Sequence, residues 1–310
     1  MVLNQIENIM KILLIGGNGY IGSRLYIQLR DKKYDVINMD GCWYGKLYSE
    51  TLIENYNELS LSFLSQFTHI ILLAGFSSIG MCKNLHQTVT NNVTYFNNLL
   101  CKLTNNQVLI YASSCSVYGN VDRILTEDDK LEPPLNNYDF SKQCVDYINN
   151  LSINKKCVGL RFGTVNGYSP HLRTDLVINA MTLSSLEKNK IFVSNGNIKR
   201  SLLGISDLCN AIEKIIITDH VKSNIYNLIS FSNSIVDIAK EIQLINGCEI
   251  IVNESQSTNY SFTVTNNKFE SDFKFKFADT ITSIYKELSE NVNIIKIKSN
   301  RIGLPTHYVS

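Results

Sequence analysis

Short apolar runs alternate with helical patterns through the first half of the chain. Lys11–Ile15, Asp35–Met39, His69–Ala74 and Gln107–Ala112 are rich in β-branched residues and read as buried strands. Between them, Tyr20–Arg30 and Thr88–Leu103 repeat apolar residues at three- and four-residue spacing, which predicts helices. Strand alternating with helix predicts parallel βαβ units with right-handed crossovers. The expected class is therefore α/β, with a Rossmann-type doubly wound parallel sheet. Beyond about Val165 the rhythm loosens, although Asp175–Lys188, Ile205–Ile217, Ile235–Leu244 and Thr280–Leu288 still read as helices. The pattern divides the chain into an N-terminal extension over 1–10, a Rossmann domain over 11–165, a smaller C-terminal lobe over 166–290 and a tail over 291–310. Segments near 205–228 are expected to return to the first domain.

Composition changes this picture little. A chain of 310 residues with 44% hydrophobic and 18% charged content is expected to bury a core. A net charge of +1 gives no bias toward polyanions, so no nucleic-acid partner is expected. Met1–Met10 carries a Glu and no basic run, unlike a secretory signal. Ile12–Ile15 falls far short of the ~20 residues a membrane span needs. The eight cysteines are scattered without a CxxC pair, and there are five histidines. No metal site is expected, and the thiols read as reduced, which implies a cytoplasmic protein.

Candidate chemistry begins in Lys11–Gly22, where a predicted strand enters a predicted helix through glycines. Gly16, Gly19 and Gly22 satisfy GxxGxxG, while Gly17, Gly19 and Gly22 satisfy GxGxxG. Glycine permits a tight turn, close backbone approach to a pyrophosphate and close helix–strand packing. The free N–H groups and positive dipole end of the helix that starts with Tyr20 and Ile21 then suit phosphates. Asp40 ends the next strand, where a carboxylate accepts from adenosine ribose hydroxyls and repels a 2′-phosphate. The expected cofactor is NAD, not NADP.

Tyr138 and Lys142 lie four residues apart, one above the other on a helix face. A phenol of pKa about 10 is a poor base at neutral pH, and a neighbouring cation favours its phenolate. Tyr138 could then take the proton of a hydroxyl as hydride leaves. Ser113 and Ser114 follow a predicted strand at the end where α/β sheets place ligands, and Ser114 could hold the same oxygen.

Taken together, Gly16–Gly22, Leu73-Ala74-Gly75, Asn92-Val93, Ser113–Gly119, Tyr138–Lys142 and Leu160–Val165 resemble the extended short-chain dehydrogenase/reductases, in that family's order and spacing. The resemblance covers roughly Lys11 to Leu288. It implies a catalytic group of Ser114, Tyr138 and Lys142 and a C-terminal nucleotide-sugar lobe. Ala74 and Asn92 would stand beside the cofactor, with Asn92 structural there or at a dimer helix, and Tyr138 and Lys142 would also contact it. The resemblance also implies a homodimer through Thr88–Leu103 and Tyr138–Leu151. Thr164, Asn179 and Arg200 would lie on the substrate side, the last two on a diphosphate, with Arg173 a second candidate.

Departures from the family narrow the chemistry. The 4,6-dehydratases of this group carry an Asp-Glu pair where this chain has Cys115 and Ser116, so no carboxylate is present to eliminate water. The 3,5-epimerases use a cysteine at the position of Ser116. Cys115 reads as a small buried side chain. His171, near the entrance to the substrate lobe, could serve as an acid, although a lone exposed histidine usually has no role. What remains is hydride chemistry at C4 of a nucleotide sugar: an epimerase that works through a transient 4-keto sugar, or a C4 dehydrogenase or 4-keto reductase that performs half of that cycle.

Overall fold

The computed structural model describes residues 10–253 and 261–294. Seven parallel strands form the main sheet, in the order Asn224–Leu228, Lys156–Phe162, Val108–Ser114, His69–Leu72, Lys11–Ile15, Asp35–Asp40, Leu52–Ile53. The order reverses between Lys11–Ile15 and His69–Leu72. That reversal opens a crevice at the carboxyl ends of the strands, where open α/β sheets bind ligands. The central strands are buried on both faces, which is why they read as continuous apolar runs and not as alternating ones.

One apolar layer packs the helices Tyr20–Asp31 and Ile205–Ile216 on one face of this sheet. A second packs Phe96, Leu99, Leu100 and Val145 on the other. Asn224–Leu228 comes late in the chain but pairs with Lys156–Phe162 along the sheet edge.

Several boundaries differ from the sequence expectation. The strand expected to reach Ala74 ends at Leu72, because the N–H groups of Leu73 and Ala74 both turn onto the Ile15 carbonyl. The single helix expected over Thr88–Leu103 is three consecutive helical pieces: Leu85–Thr88, a π-helical turn Val89–Thr94, and Tyr95–Lys102. The π turn carries Asn92, whose amide faces inward onto Phe76. Widened turns of this kind are one way to re-aim a side chain within a helix.

The chain beyond the main sheet holds a three-stranded sheet, in which Lys199–Gly204 lies between Phe231–Ser234 and Thr164–Asn166. It also holds the parallel pair Lys190–Ser194 and Glu249–Asn253. The helices Val177–Lys188, Ile235–Asn246 and Ile281–Glu290 close a separate apolar cluster around Ile191, Val193 and Leu202. Among the described residues no helix is long and apolar enough to cross a membrane, and no His, Cys, Asp and Glu cluster could hold a metal ion. All eight cysteines are free thiols. The sequence regions 1–10 and 291–310 lie largely outside the described residues.

Candidate active site

The glycine loop sits at the mouth of the crevice. Gly16 has φ +94°, and a Cβ there would lie 2.6 Å from the Ala74 nitrogen. At Gly22 a Cβ would lie 2.0 Å from the Gly16 carbonyl oxygen. Both positions therefore exclude a side chain, and the backbone stays open toward the crevice. The helix begins at Tyr20 with Gly19 as its cap residue and no side chain on its first N–H groups. Ile21 and Gly22 continue this first turn, so backbone donors and the positive dipole end face the space a pyrophosphate would take. Ala74 lies against Gly16 on the other side of the crevice.

Asp40 closes the strand Asp35–Asp40 beside this loop. Its Oδ2 accepts the Asn18 N–H at 2.8 Å and its Oδ1 accepts the Cys42 N–H at 2.6 Å. Burial raises the carboxyl above its ordinary range, and the N–H donors and the nearby His171 oppose that shift. Glycine cradle, helix start and carboxylate together fit a dinucleotide. Asn92 is structural here: its Oδ1 accepts the Phe76 N–H at 2.8 Å, and its Nδ2 donates to the Phe76 carbonyl and to Ser141 Oγ, each at 3.0 Å. It thereby fixes the turn after Gly75, whose φ is +133°.

The strand Val108–Ser114 delivers Ser114 to the same crevice, and the helix Asn137–Leu151 delivers Tyr138 and Lys142. Asn136 caps that helix by accepting the Asp139 N–H at 3.0 Å. Ser114 lies close enough to Tyr138 to favour its phenolate. The Ser114 hydroxyl donates to Ser116 Oγ at 2.9 Å and accepts the Ser116 N–H at 3.1 Å, so it also caps the short turn Cys115–Tyr118. Lys142 Nζ lies 5.7 Å from the centre of the Tyr138 ring and donates to the Ala112 carbonyl at 2.8 Å.

The electrostatics differ from the simple expectation that Lys142 lowers the Tyr138 pKa. Burial dominates, and the phenol is pushed up to about 12. Burial likewise lowers Lys142 to about 8, against the pull of Asp146 and Cys82. The chain by itself therefore holds the phenol neutral near pH 7 although Ser114 and Arg173 oppose the shift, and added positive charge in the crevice would favour the phenolate further. Cys82, which had no sequence signature, is buried next to the start of this helix, where its carbonyl accepts from Asn137 Nδ2 at 2.8 Å.

A stability prediction follows from Lys142. Its value when folded is below its ordinary 10.5, so the folded state disfavours the ammonium. Below pH 8 both folded and unfolded chains carry the charge and the destabilisation is complete. Between 8 and 10.5 the folded lysine releases its proton while the unfolded one keeps it, and the destabilisation fades. Lys142→Met should thus gain most in melting temperature, relative to the parent, below pH 8, and that gain should shrink toward pH 10. A difference that does not vary with pH would contradict the assignment.

The expected substrate-side residues do not all face the crevice as anticipated. Asn179 is fully buried. Its Oδ1 accepts the Gly167 N–H at 2.8 Å, and its Nδ2 donates to the Tyr20 hydroxyl at 3.2 Å and the Arg173 carbonyl at 2.9 Å. With both amide hydrogens spent on protein oxygens, it organises the loop before it and is not placed as a diphosphate donor. The Tyr20 side chain also turns away from the cofactor space and donates to the Gly167 carbonyl at 2.8 Å. Thr164 pairs with Leu202, and Arg200 with Asn233, in the three-stranded sheet. Arg173, half-buried and paired with Asp175 at 2.6 Å, is electrostatically coupled to Tyr138. Cys115 is fully buried, and its thiol donates to the Arg161 carbonyl. His171 corrects the reading that it is exposed: it is 7% exposed and bonds the Asn18 carbonyl.

Comparison with known proteins shows the family of this chain. The family model of the NAD dependent epimerase/dehydratase family matches residues 12–228. The chain belongs to that family; it is an enzyme, and its cofactor is NAD. Among curated proteins it is 29% identical over 255 residues to the ADP-L-glycero-D-manno-heptose-6-epimerase of Brachyspira hyodysenteriae, covering 75% of this chain and 80% of that one. It is 30% identical over 233 residues to Protein CapI of Staphylococcus aureus, covering 67% and 69%. Among solved structures, the Helicobacter pylori ADP-L-glycero-D-manno-heptose-6-epimerase superposes with TM-score 0.80 at 23% identity, over 94% of this chain and 99% of that one. The Bacillus cereus UDP-glucuronic acid 4-epimerase, in complex with UDP-glucuronic acid and NAD, gives 0.79 at 21% identity, over 92% and 100%.

Proposed function

We propose that the protein is an NAD-dependent nucleotide-sugar epimerase acting at C4 through a transient 4-keto sugar. The observation that carries this reading is the meeting of Ser114, Tyr138 and Lys142 at the carboxyl end of Val108–Ser114, with the buried Cys115 and the hydroxyl of Ser116 where an acid pair would be needed for elimination. When bound, NAD supplies a reversible hydride acceptor, held by the backbone at Gly16, Gly19, Tyr20, Ile21 and Gly22 and by Asp40. Tyr138 takes the proton of the sugar hydroxyl and later returns it. Ser114 holds the same oxygen, and Lys142 presents a positive charge beside the phenol. No further acid or base is required, because epimerisation needs only that the planar keto sugar offer its other face.

A nucleotide-diphosphate sugar is the proposed substrate, with Thr164, Arg173 and Arg200 on its side of the crevice. The proposed assembly is a homodimer. Phe140, Tyr147 and Leu151 expose apolar surface along the helix Asn137–Leu151, and Tyr147 is 65% exposed. The heptose-6-epimerase relatives favour a second reading, in which the same groups act at C6 of a heptose.

Incubation with NAD and a panel of ADP-, UDP-, GDP-, CDP- and dTDP-sugars, with products resolved by NMR, tests both. A new C4 stereoisomer without net NADH is the expected result. Inversion at C6 would replace the C4 reading with the second one. Stoichiometric NADH with a keto product would make the enzyme a dehydrogenase.

A further inference from the structure

The loop from Gly167 to Arg173 belongs by sequence to the smaller lobe, yet it lies against the glycine loop. Ser169 Oγ donates to the Tyr20 carbonyl at 2.6 Å and shares a 2.7 Å bond with Ser23 Oγ. Two residues on, the His171 ring reaches the carbonyl of Asn18, between Gly17 and Gly19. Because a carbonyl only accepts, Nδ1 of His171 carries the hydrogen.

Asn18 is the hub of the cofactor loop. It is 2% exposed, and every polar group on it is used. Its N–H donates to Asp40 Oδ2 at 2.8 Å, its Nδ2 to Thr51 Oγ1 at 3.0 Å, and its Oδ1 accepts the Leu47 N–H at 2.8 Å. The carbonyl is the remaining group, and His171 satisfies it. Without that donor a buried carbonyl would lose its partner, a state that folded chains avoid by rearranging the segment. The segment here is the one that presents N–H groups to the dinucleotide and orients Asp40. The His171 ring is itself held edge-on by Tyr44, at 5.7 Å and 82°.

We propose that His171 is a positioning residue for NAD: the substrate-side loop supplies the donor that holds Asn18, and through it the glycine loop and Asp40, in the shape that binds the cofactor. This rests on NAD as the cofactor and not on the sugar or the carbon attacked.

The test is an equilibrium NAD titration in the absence of any sugar. Trp43, the one tryptophan of the chain, stands just beyond Asp40 against Phe76 at 5.8 Å and provides a fluorescence signal there. Calorimetry provides a second readout. His171→Phe keeps a ring against Tyr44 and removes the donor; the Kd for NAD should rise about tenfold, the scale of one lost hydrogen bond. His171→Asn places an amide N–H where Nδ1 was and should recover most of that loss. In turnover assays the Phe variant should lose more in KM for NAD than in kcat.

Unchanged NAD affinity in the folded Phe variant would overturn the proposal. So would an Asn variant that binds NAD as poorly as the Phe variant while melting like the parent. Should the Phe variant not fold, His171→Leu takes its place and is read the same way; if neither folds, the Asn variant decides, and a tenfold loss there overturns the proposal. Because no sugar is present, the result stands apart from the outcome of the sugar panel.

Discussion

Tyr138→Phe should reduce turnover by about 10²- to 10⁴-fold, the range a positioned acid–base group supplies. The loss should fall mainly on kcat, because the glycine loop and Asp40 would still hold NAD while the proton transfer is lost. The fold should survive: the ring stays, and Ser114 keeps its bonds to Ser116. Burial holds this phenol at about 12 in the chain alone, so the pH profile of the parent carries a second signature. If the phenolate is the working base, activity should rise with pH through a value well below 12 once positive charge is bound in the crevice, and that rise should vanish in the Phe variant. Near-normal turnover by Tyr138→Phe would remove Tyr138 from the mechanism.

The second large effect lies about two turns further along the same helix. Asp146 is 1% exposed; its Oδ2 accepts from Arg161 Nε at 2.8 Å and its Oδ1 from the Tyr111 hydroxyl at 2.9 Å. Arg161, 4% exposed, also donates to the Tyr118 hydroxyl at 2.7 Å, and Tyr118 donates to Asn227 Oδ1 at 2.9 Å. This network ties the catalytic helix to three neighbouring strands. Asp146→Ala leaves the guanidinium buried and uncompensated, which costs about 3–5 kcal/mol. Chemical denaturation should show a loss of that size, and a loss under about 1 kcal/mol would show that water or another group replaces the carboxylate. Asp146→Leu combined with Arg161→Met should recover much of it, because removing both charges strands neither.

These two positions mark different depths of legibility. Tyr138 and Lys142 stand out in the sequence because a helix places residues four apart on one face. The spacing of Gly16, Gly19 and Gly22 stands out because a tight turn excludes side chains. Asp146 and Arg161 are fifteen residues apart on different elements, and no local period connects them. The fold class was readable because buried parallel strands leave continuous apolar runs, whereas the π turn at Asn92 was not, because it depends on Phe76 sixteen residues earlier.

What the sequence by itself determined is the local chemistry: the alternation of strand and helix, the glycine cradle, the acidic end of the second strand, and a phenol paired with an ammonium. Each of these arises from backbone geometry within a few residues. Only the tertiary structure decided how those pieces are tuned and joined. It buried Tyr138 and Lys142 enough to shift both away from their ordinary values. It turned Asn179 and the Tyr20 ring inward onto Gly167. It carried His171 across 153 positions to the Asn18 carbonyl. The reason is common to all three: desolvation and hydrogen-bond satisfaction depend on what surrounds a group in space, and those neighbours come from segments far apart in the chain.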